Sequence, residues 1–338
     1  MQKKKTKNVP PRSPWSRVPK AESVQIALGH ETINSDEAMF AAVLLLLEMV
    51  AAASAAATDG GVVSFVSAVD ATSVASSQRT ELEHSWTRCI GSGHAYLGLR
   101  DDWKLGLKTV RDELGVEMVR FHAVLDDDIF QLSRDEITKA LVFNFTLVDA
   151  VYDYITSLGM KPFVEISFMP TVLASGNATW MRYKANVTPP NDIAEWSFVI
   201  EHFAAHLMER YGEAEVSSWY FEVWNEPNAE SLLNFGTGFF AGNQSQYFEL
   251  YNATTTAIKS VSKSFRVGGP ASAGGGWLDD FLQYALDEAV YADFVSTHHY
   301  PSTENPDSIS GDVARDMATV RNVYPSMPYL LTEFNSGL

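Results

Sequence analysis

Cysteine is almost missing from this chain: Cys89 is the one residue of its kind among 338. A disulfide framework is therefore excluded, and no Cys/His spacing for a structural zinc occurs. A lone free thiol of this sort is expected to be buried and inert. Positive charge is scarce as well, with 25 Lys and Arg against 42 Asp and Glu and a net charge of −17. Seven of the basic residues fall within the first twenty positions, which hold no acid, so the remainder sets 18 bases against 42 acids. Such a body repels phosphate backbones and argues against a nucleic-acid partner. Internal repeats are absent. No dinucleotide-binding glycine fingerprint follows any strand candidate, and Gly274-Gly275-Gly276 reads as a loop.

Long apolar runs are limited to Met39–Ala57, whose nineteen residues carry a single charge at Glu48. A mid-segment carboxylate makes a poor membrane span. A Leu-rich stretch followed by small residues and then Thr58-Asp59-Gly60 fits a secretory signal better. Its distance from residue 1 leaves two readings, a start at Met39 or a signal anchor with a basic tail. Secretion is expected, with membrane anchoring through residues 39–57 as the alternative. Five N-x-[ST] sequons, at Asn144, Asn177, Asn186, Asn243 and Asn252, accord with a secreted glycoprotein.

What is present is the material of a large core. Hydrophobic residues make up 46% and aromatics 12%, enough to exclude disorder for the bulk of the chain. Residues 1–57 read as an upstream extension plus signal peptide or anchor, and 58–83 as a lead-in with strand character. From residue 84 onward, short apolar runs alternate with longer amphipathic stretches. Strands are predicted at 118–125, 162–167, 219–224, 266–269, 294–298 and 329–332, with another near 85–90. Helices are predicted at 103–114, 145–158, 193–211, 246–262 and 276–289. That alternation predicts a parallel sheet, and seven such strands favour a (β/α)8 TIM-type barrel.

The chemistry concentrates at two strand ends. Tyr220-Phe221-Glu222-Val223-Trp224-Asn225-Glu226-Pro227-Asn228 runs from an apolar strand into Asn-Glu, and Tyr329-Leu330-Leu331-Thr332-Glu333 again ends an apolar strand in an acid. Counted along the chain, Glu226 and Glu333 end the fourth and seventh strands, which face one another across a barrel mouth. Two carboxyls flanking a sugar are what glycosidic cleavage requires. Adjacent strand residues point to opposite faces, so Asn225 and Glu226 share a pocket only if the strand end bulges or twists.

These residues resemble glycoside hydrolase family 39, whose members include β-xylosidases and α-L-iduronidases. The similarity runs through most of residues 92–338. It takes in Leu99-Arg100-Asp101-Asp102-Trp103, Val119-Arg120-Phe121-His122, Asp126-Asp127-Asp128, Phe143-Asn144-Phe145-Thr146, residues 162–170, residues 186–190, Phe221 to Asn228, Val267-Gly268-Gly269-Pro270 and Thr332-Glu333-Phe334-Asn335. The resemblance implies that Glu226 is the general acid/base and Glu333 the nucleophile of a retaining double displacement, with carboxyl groups about 5–5.5 Å apart. The Glu333 charge is then expected to raise the pKa of Glu226. Asn225 matches an amide at the sugar 2-hydroxyl, and His122 a sugar-binding histidine. His298 and Tyr300, at the sixth strand end, match groups that orient the nucleophile or a hydroxyl. Phe168, with Met169, is expected to form an apolar wall under the sugar. The Asn144 and Asn186 sequons fall in family motifs and are read as structural.

A uronic acid needs a cationic partner, and the positions after the sixth-strand His298 hold His299 and Tyr300 instead. The Thr-Glu-Phe-Asn motif also matches the xylosidase branch, so xylosides or xylo-oligosaccharides are the expected substrates. An iduronidase-like hydrolase and a catalytically inactive sugar-binding relative are the alternatives. No metal and no cofactor are expected. The resemblance implies an eighth strand and the remainder of an accessory β-sandwich beyond Leu338. The barrel over residues 84–338 is thus expected to be truncated after its seventh strand, with an N-terminal strand of the sandwich a candidate in the lead-in.

Overall fold

The computed structural model describes residues 84–229, 238–301, 305 and 307–335. The lead-in strand, the apolar run at 39–57 and the basic extension lie outside the described residues. Among those that are described, no helix is long and apolar enough to cross a membrane.

Eleven strands occur among the described residues, in chain order β1 Ile90–His94, β2 Met118–His122, β3 Gln131–Arg134, β4 Leu141–Asn144, β5 Lys161–Ile166, β6 Thr179–Trp180, β7 Ala185–Asn186, β8 Tyr220–Val223, β9 Arg266–Ala273, β10 Phe294–His299 and β11 Tyr329–Phe334. Seven of them form one sheet in the order β1-β2-β5-β8-β9-β10-β11, and every pairing within it is parallel. Sequential strands are neighbours throughout, as in a barrel wound in one direction. The remaining four make the small antiparallel hairpins β3-β4 and β6-β7. In the described sheet β1 and β11 are the edges and do not pair with one another. The sheet is therefore an incomplete TIM-type barrel.

The helices between the strands are α1 Asp101–Leu114, α2 Thr146–Ser157, α3 Ile193–Tyr211, the single turn α4 Glu213–Val216, α5 Gln244–Val261, α6 Leu278–Asp287 and α7 Ser308–Val323. Their ends follow local chemistry. Asp192 caps α3 by accepting from the backbone N–H groups of Ala194 and Glu195. Asn243 and Gln246 form a reciprocal capping box, which starts α5 two residues before the predicted boundary. Gly115 closes α1 at φ 70, a left-handed position that suits a residue without Cβ.

Two expectations are corrected here. The first strand lies at Ile90–His94 rather than 85–90, because Ser85–Thr87 coil into a single 3-10 turn and pairing with β2 begins only at Ile90 and Gly91, opposite Val119 and Arg120. Helix α7 was absent from the predicted set. Its apolar stripe is thin, and Asp316, buried on its inner face, breaks the pattern that would have revealed it.

The core lies between sheet and helices, with Trp196, Trp219, Trp224, Phe203 and Tyr251 fully buried. Trp196 Nε1 donates to Thr254 Oγ1 at 2.8 Å, which ties α3 to α5 without leaving an indole N–H unpaired. Asn186 is buried, with Nδ2 donating to Gly176 O and Oδ1 accepting from the Thr188 N–H and hydroxyl, so its sequon serves the fold. The Asn144 side chain is exposed and donates to Gln131 across the β3-β4 hairpin.

Candidate active site

Glu226 and Glu333 meet at the carboxyl-terminal mouth of the sheet, as their places at the ends of β8 and β11 require. An oxygen of each and a ring nitrogen of His298 lie within 4.8 Å of one another. Local backbone produces this. Trp224 and Glu226 adopt positive φ values of 72 and 42, which turns the chain sharply after β8. This is the twist that lets Asn225 and Glu226 both face the site. The turn is held by Glu226 N–H donating to Ala271 O at 2.9 Å, and by Asn228, which both donates to and accepts from the backbone of Ala273. On the opposite side, a register shift between Thr297 and His298 brings His298 level with Glu333.

Arg120, on β2, is the centre of the site. Its guanidinium is buried and reaches three carboxylates: Glu222 from Nε at 2.7 Å, Glu165 from Nη2 at 2.7 Å and Glu333 from Nη1 at 2.6 Å. Nη2 also donates to Asn225 Oδ1 at 3.1 Å, which leaves the Asn225 amide nitrogen as a donor. Burial works against the charge on Arg120, but its three carboxylate neighbours outweigh it and raise the pKa well above the ordinary value. Glu333 is likewise opposed by burial. Attraction to His298, Arg120 and His122, with the hydrogen bond that Tyr300 donates at 2.7 Å, wins and holds its carboxyl well below the usual range. Glu333 is thus an anion at any pH near neutral.

His122 Nδ1 donates to Glu165 Oε2 at 2.8 Å, and its Nε2 lies 3.6 Å from Glu333 Oε1. Burial disfavours its charge, yet Glu165 more than compensates and the imidazole pKa rises. His298 joins a longer chain. Thr332 Oγ1 donates its one proton to Glu222 Oε1 at 2.8 Å, so it accepts from His298 Nε2 at 3.1 Å. The other ring nitrogen, Nδ1, lies 2.9 Å from Glu226 Oε1. With Nε2 committed as a donor, that contact holds one proton, carried either by the imidazole or by the Glu226 carboxyl. His299, next in sequence, turns away to Asp316 Oδ2 at 2.6 Å inside the protein.

The structure thus gathers Glu226, Glu333, Asn225, His122, His298 and Tyr300 in one place. Phe168 is a correction. It is wholly buried, edge-on to Trp224 at 5.4 Å and stacked on Phe239 at 6.2 Å, and offers no surface to a ligand. It packs beneath the turn that carries Glu226, and Met169 is equally buried. Cys89 is the second correction: it is exposed, on a cleft of about 780 Å³ between β1 and β11 that also reaches Arg120, Thr332 and Glu333. It lies just before β1, which has no neighbour on one side among the described residues.

Arg120, Glu165, Glu222 and Thr332 had no assigned role in the sequence reading. Their signal was present: Arg120 is two residues before His122 and so shares its face, and Glu165 and Glu222 are charges inside otherwise apolar strands.

The family model described as glycosyl hydrolases family 39 matches residues 71–336. The chain belongs to that family. A β-xylosidase of Caldicellulosiruptor saccharolyticus is 42% identical over 265 residues, covering 75% of this chain and 52% of its own. One from Geobacillus stearothermophilus is 36% identical over 285 residues, covering 78% and 55% respectively. Among solved structures, a family 39 β-xylosidase from Caulobacter crescentus superposes with a TM-score of 0.68 at 36% identity, over 75% of this chain and 54% of that one. The chain spans about half the length of these relatives.

Proposed function

We propose that this family 39 chain carries the catalytic machinery of a retaining β-xylosidase, with Glu333 as nucleophile and Glu226 as acid/base. The carrying observation is the close carboxyl pair, within 4.8 Å at its nearest oxygens, a spacing that suits direct attack better than an intervening water. Arg120 and Tyr300 keep Glu333 ionised and aimed. The proton in the Glu226–His298 contact is the one delivered to the departing oxygen. As Glu333 closes on the anomeric carbon, Glu226 donates, and the glycosyl-enzyme forms. Glu226 then accepts a proton from water, which attacks the same carbon and frees Glu333. The Asn225 amide nitrogen is the donor for the sugar 2-hydroxyl, and His122 meets the sugar on the Glu165 side.

A neutral pentose is favoured by the surroundings of β10. His299 is engaged with Asp316, and Tyr300 with Glu333, so neither supplies a free cation for a uronate. Secretion directed by residues 39–57 is part of the same proposal and is read by cleavage near Ala57 in a secreting host. The test of activity is hydrolysis of p-nitrophenyl β-D-xyloside, with p-nitrophenyl β-D-glucoside and a 4-methylumbelliferyl iduronide beside it and Glu226→Gln and Glu333→Gln as controls. Xyloside turnover abolished in Glu333→Gln, and lowered in Glu226→Gln by less for this activated aryl leaving group than for poor ones, supports the reading. Iduronide turnover alone overturns the sugar assignment, and silence from a folded chain favours a binding-only relative.

A further inference from the structure

A second cluster stands apart from the carboxylate pair, where three loops of the mouth meet. His94 ends β1, Asp126 and Asp128 lie in the turn after β2, and Tyr183 sits between β6 and β7. The His94 and Tyr183 rings stack face to face, centroids 3.8 Å apart and 8° from parallel. His94 Nε2 is 3.3 Å from Asp128 Oδ1 and 4.0 Å from Asp126 Oδ2. The Asp126 side chain is only 8% exposed. Nevertheless His94 Nε2, Asp126 Oδ1 and the Tyr183 hydroxyl are all buried without a hydrogen-bond partner, half of the six such side-chain atoms among the described residues. Buried polar atoms are ordinarily satisfied, so three in one spot mark a place shaped for a ligand.

Charge decides the kind of ligand. Among the described residues no lysine or arginine pairs with Asp126 or Asp128, and Asp127 turns aside to accept from Thr171 N–H. An imidazole and two carboxyl groups that converge with no basic side chain beside them suit a cation better than a neutral molecule. One imidazole and two carboxylates suit a first-row transition ion, while Ca²⁺ and Mg²⁺ prefer larger all-oxygen shells. Two ligands bound to Zn²⁺ at tetrahedral geometry stand roughly 3.3–3.6 Å apart. The His94–Asp128 distance already matches, and a small rotation of Asp126 completes the set.

We propose that His94, Asp126 and Asp128 bind a divalent transition-metal ion, with Zn²⁺ the best fit, which ties the end of β1 to the turn after β2. Tyr183 fixes the imidazole plane by stacking and keeps its hydroxyl as a donor toward the ion's remaining ligand. The site is independent of the glycosidase chemistry and is tested without it. The EDTA-treated chain is titrated with ZnCl₂ by calorimetry and followed by thermal denaturation, with MnCl₂, MgCl₂ and CaCl₂ in parallel. The expected result is one tight Zn²⁺ per chain, a raised Tm, and weaker effects from Mg²⁺ and Ca²⁺. Asp128→Asn, at a side chain 42% exposed and so tolerant of exchange, lowers Zn²⁺ affinity at least tenfold and leaves the metal-free Tm unchanged. His94→Gln also lowers the affinity. No binding, or equal affinity in both variants, overturns the proposal. Stabilisation by xylose in place of Zn²⁺, abolished by the same variants, overturns it too and makes the cluster a sugar subsite.

Discussion

Replacing Arg120 with Met is the most searching perturbation of this site. Methionine fills similar space but leaves Glu165 and Glu222, both fully buried, and Glu333, mostly buried, without their common cation. Breaking a buried ion pair by removing one partner costs about 3–5 kcal/mol, because the remaining charge is stranded. In a domain of this size each kcal/mol moves Tm by about 2–4 °C, so the fall is roughly 6–20 °C. The pH dependence follows from the carboxylates. Glu333 and Glu165 have lowered pKa values, so the stability they contribute is present above the unfolded carboxylate pKa and is lost as pH falls through the folded values. Without Arg120 those folded values rise, and the freed carboxylates take protons at mildly acidic pH. The gap between wild type and Arg120→Met is therefore widest near pH 7 and narrows toward acid. Urea denaturation at neutral and acidic pH, read by tryptophan fluorescence, measures it. A gap below about 1 kcal/mol at pH 7, or one independent of pH, would refute the view of Arg120 as the charge that permits this buried triad.

Further expectations concern single groups. Tyr300→Phe removes the hydroxyl that donates to Glu333, so the Glu333 pKa moves up and the acid limb of kcat/KM shifts to higher pH, with Tm nearly unchanged; an unmoved limb contradicts the assignment. Glu226→Gln lowers turnover of xylosides with poor leaving groups by about 10²–10⁴ and of activated aryl xylosides far less, which a leaving-group series reads. Thr254→Val strands the buried Trp196 indole N–H and destabilises by about 1–3 kcal/mol in urea denaturation, with negligible loss counting against the α3–α5 tie. Gly268→Ala is expected to prevent normal folding, since a Cβ there would stand 2.3 Å from Phe294 O; a soluble variant of native Tm would show that β9 and β10 can part.

Much of the architecture was readable from local pattern. The short apolar runs at 118–125, 162–167 and 329–332, the amphipathic stretches between them and the acids at two strand ends locate the parallel sheet and its carboxylate pair. These features arise from neighbours in sequence, through backbone preference and burial of one face. The boundaries of α3 matched because Asp192 and Gly212 signal them chemically.

The rest depended on partners far apart in the chain. Arg120 meets Glu222 across 102 residues and Glu333 across 213, and sheet order alone brings them together. The left-handed turn at Trp224 and Glu226 is non-glycine and carries no sequence signature, yet it decides that Asn225 and Glu226 face one site. Phe168 has the composition of a pocket wall, but Trp224 and Phe239 enclose it, and Cys89 has the composition of a core residue, but it lies exposed just before the edge strand β1. The sequence by itself determined which residues can do chemistry and on which elements they ride, because those are properties of short segments. Tertiary structure decided which of them touch, which are exposed and which charges are held, because burial and Coulomb energy depend on distance in space rather than along the chain.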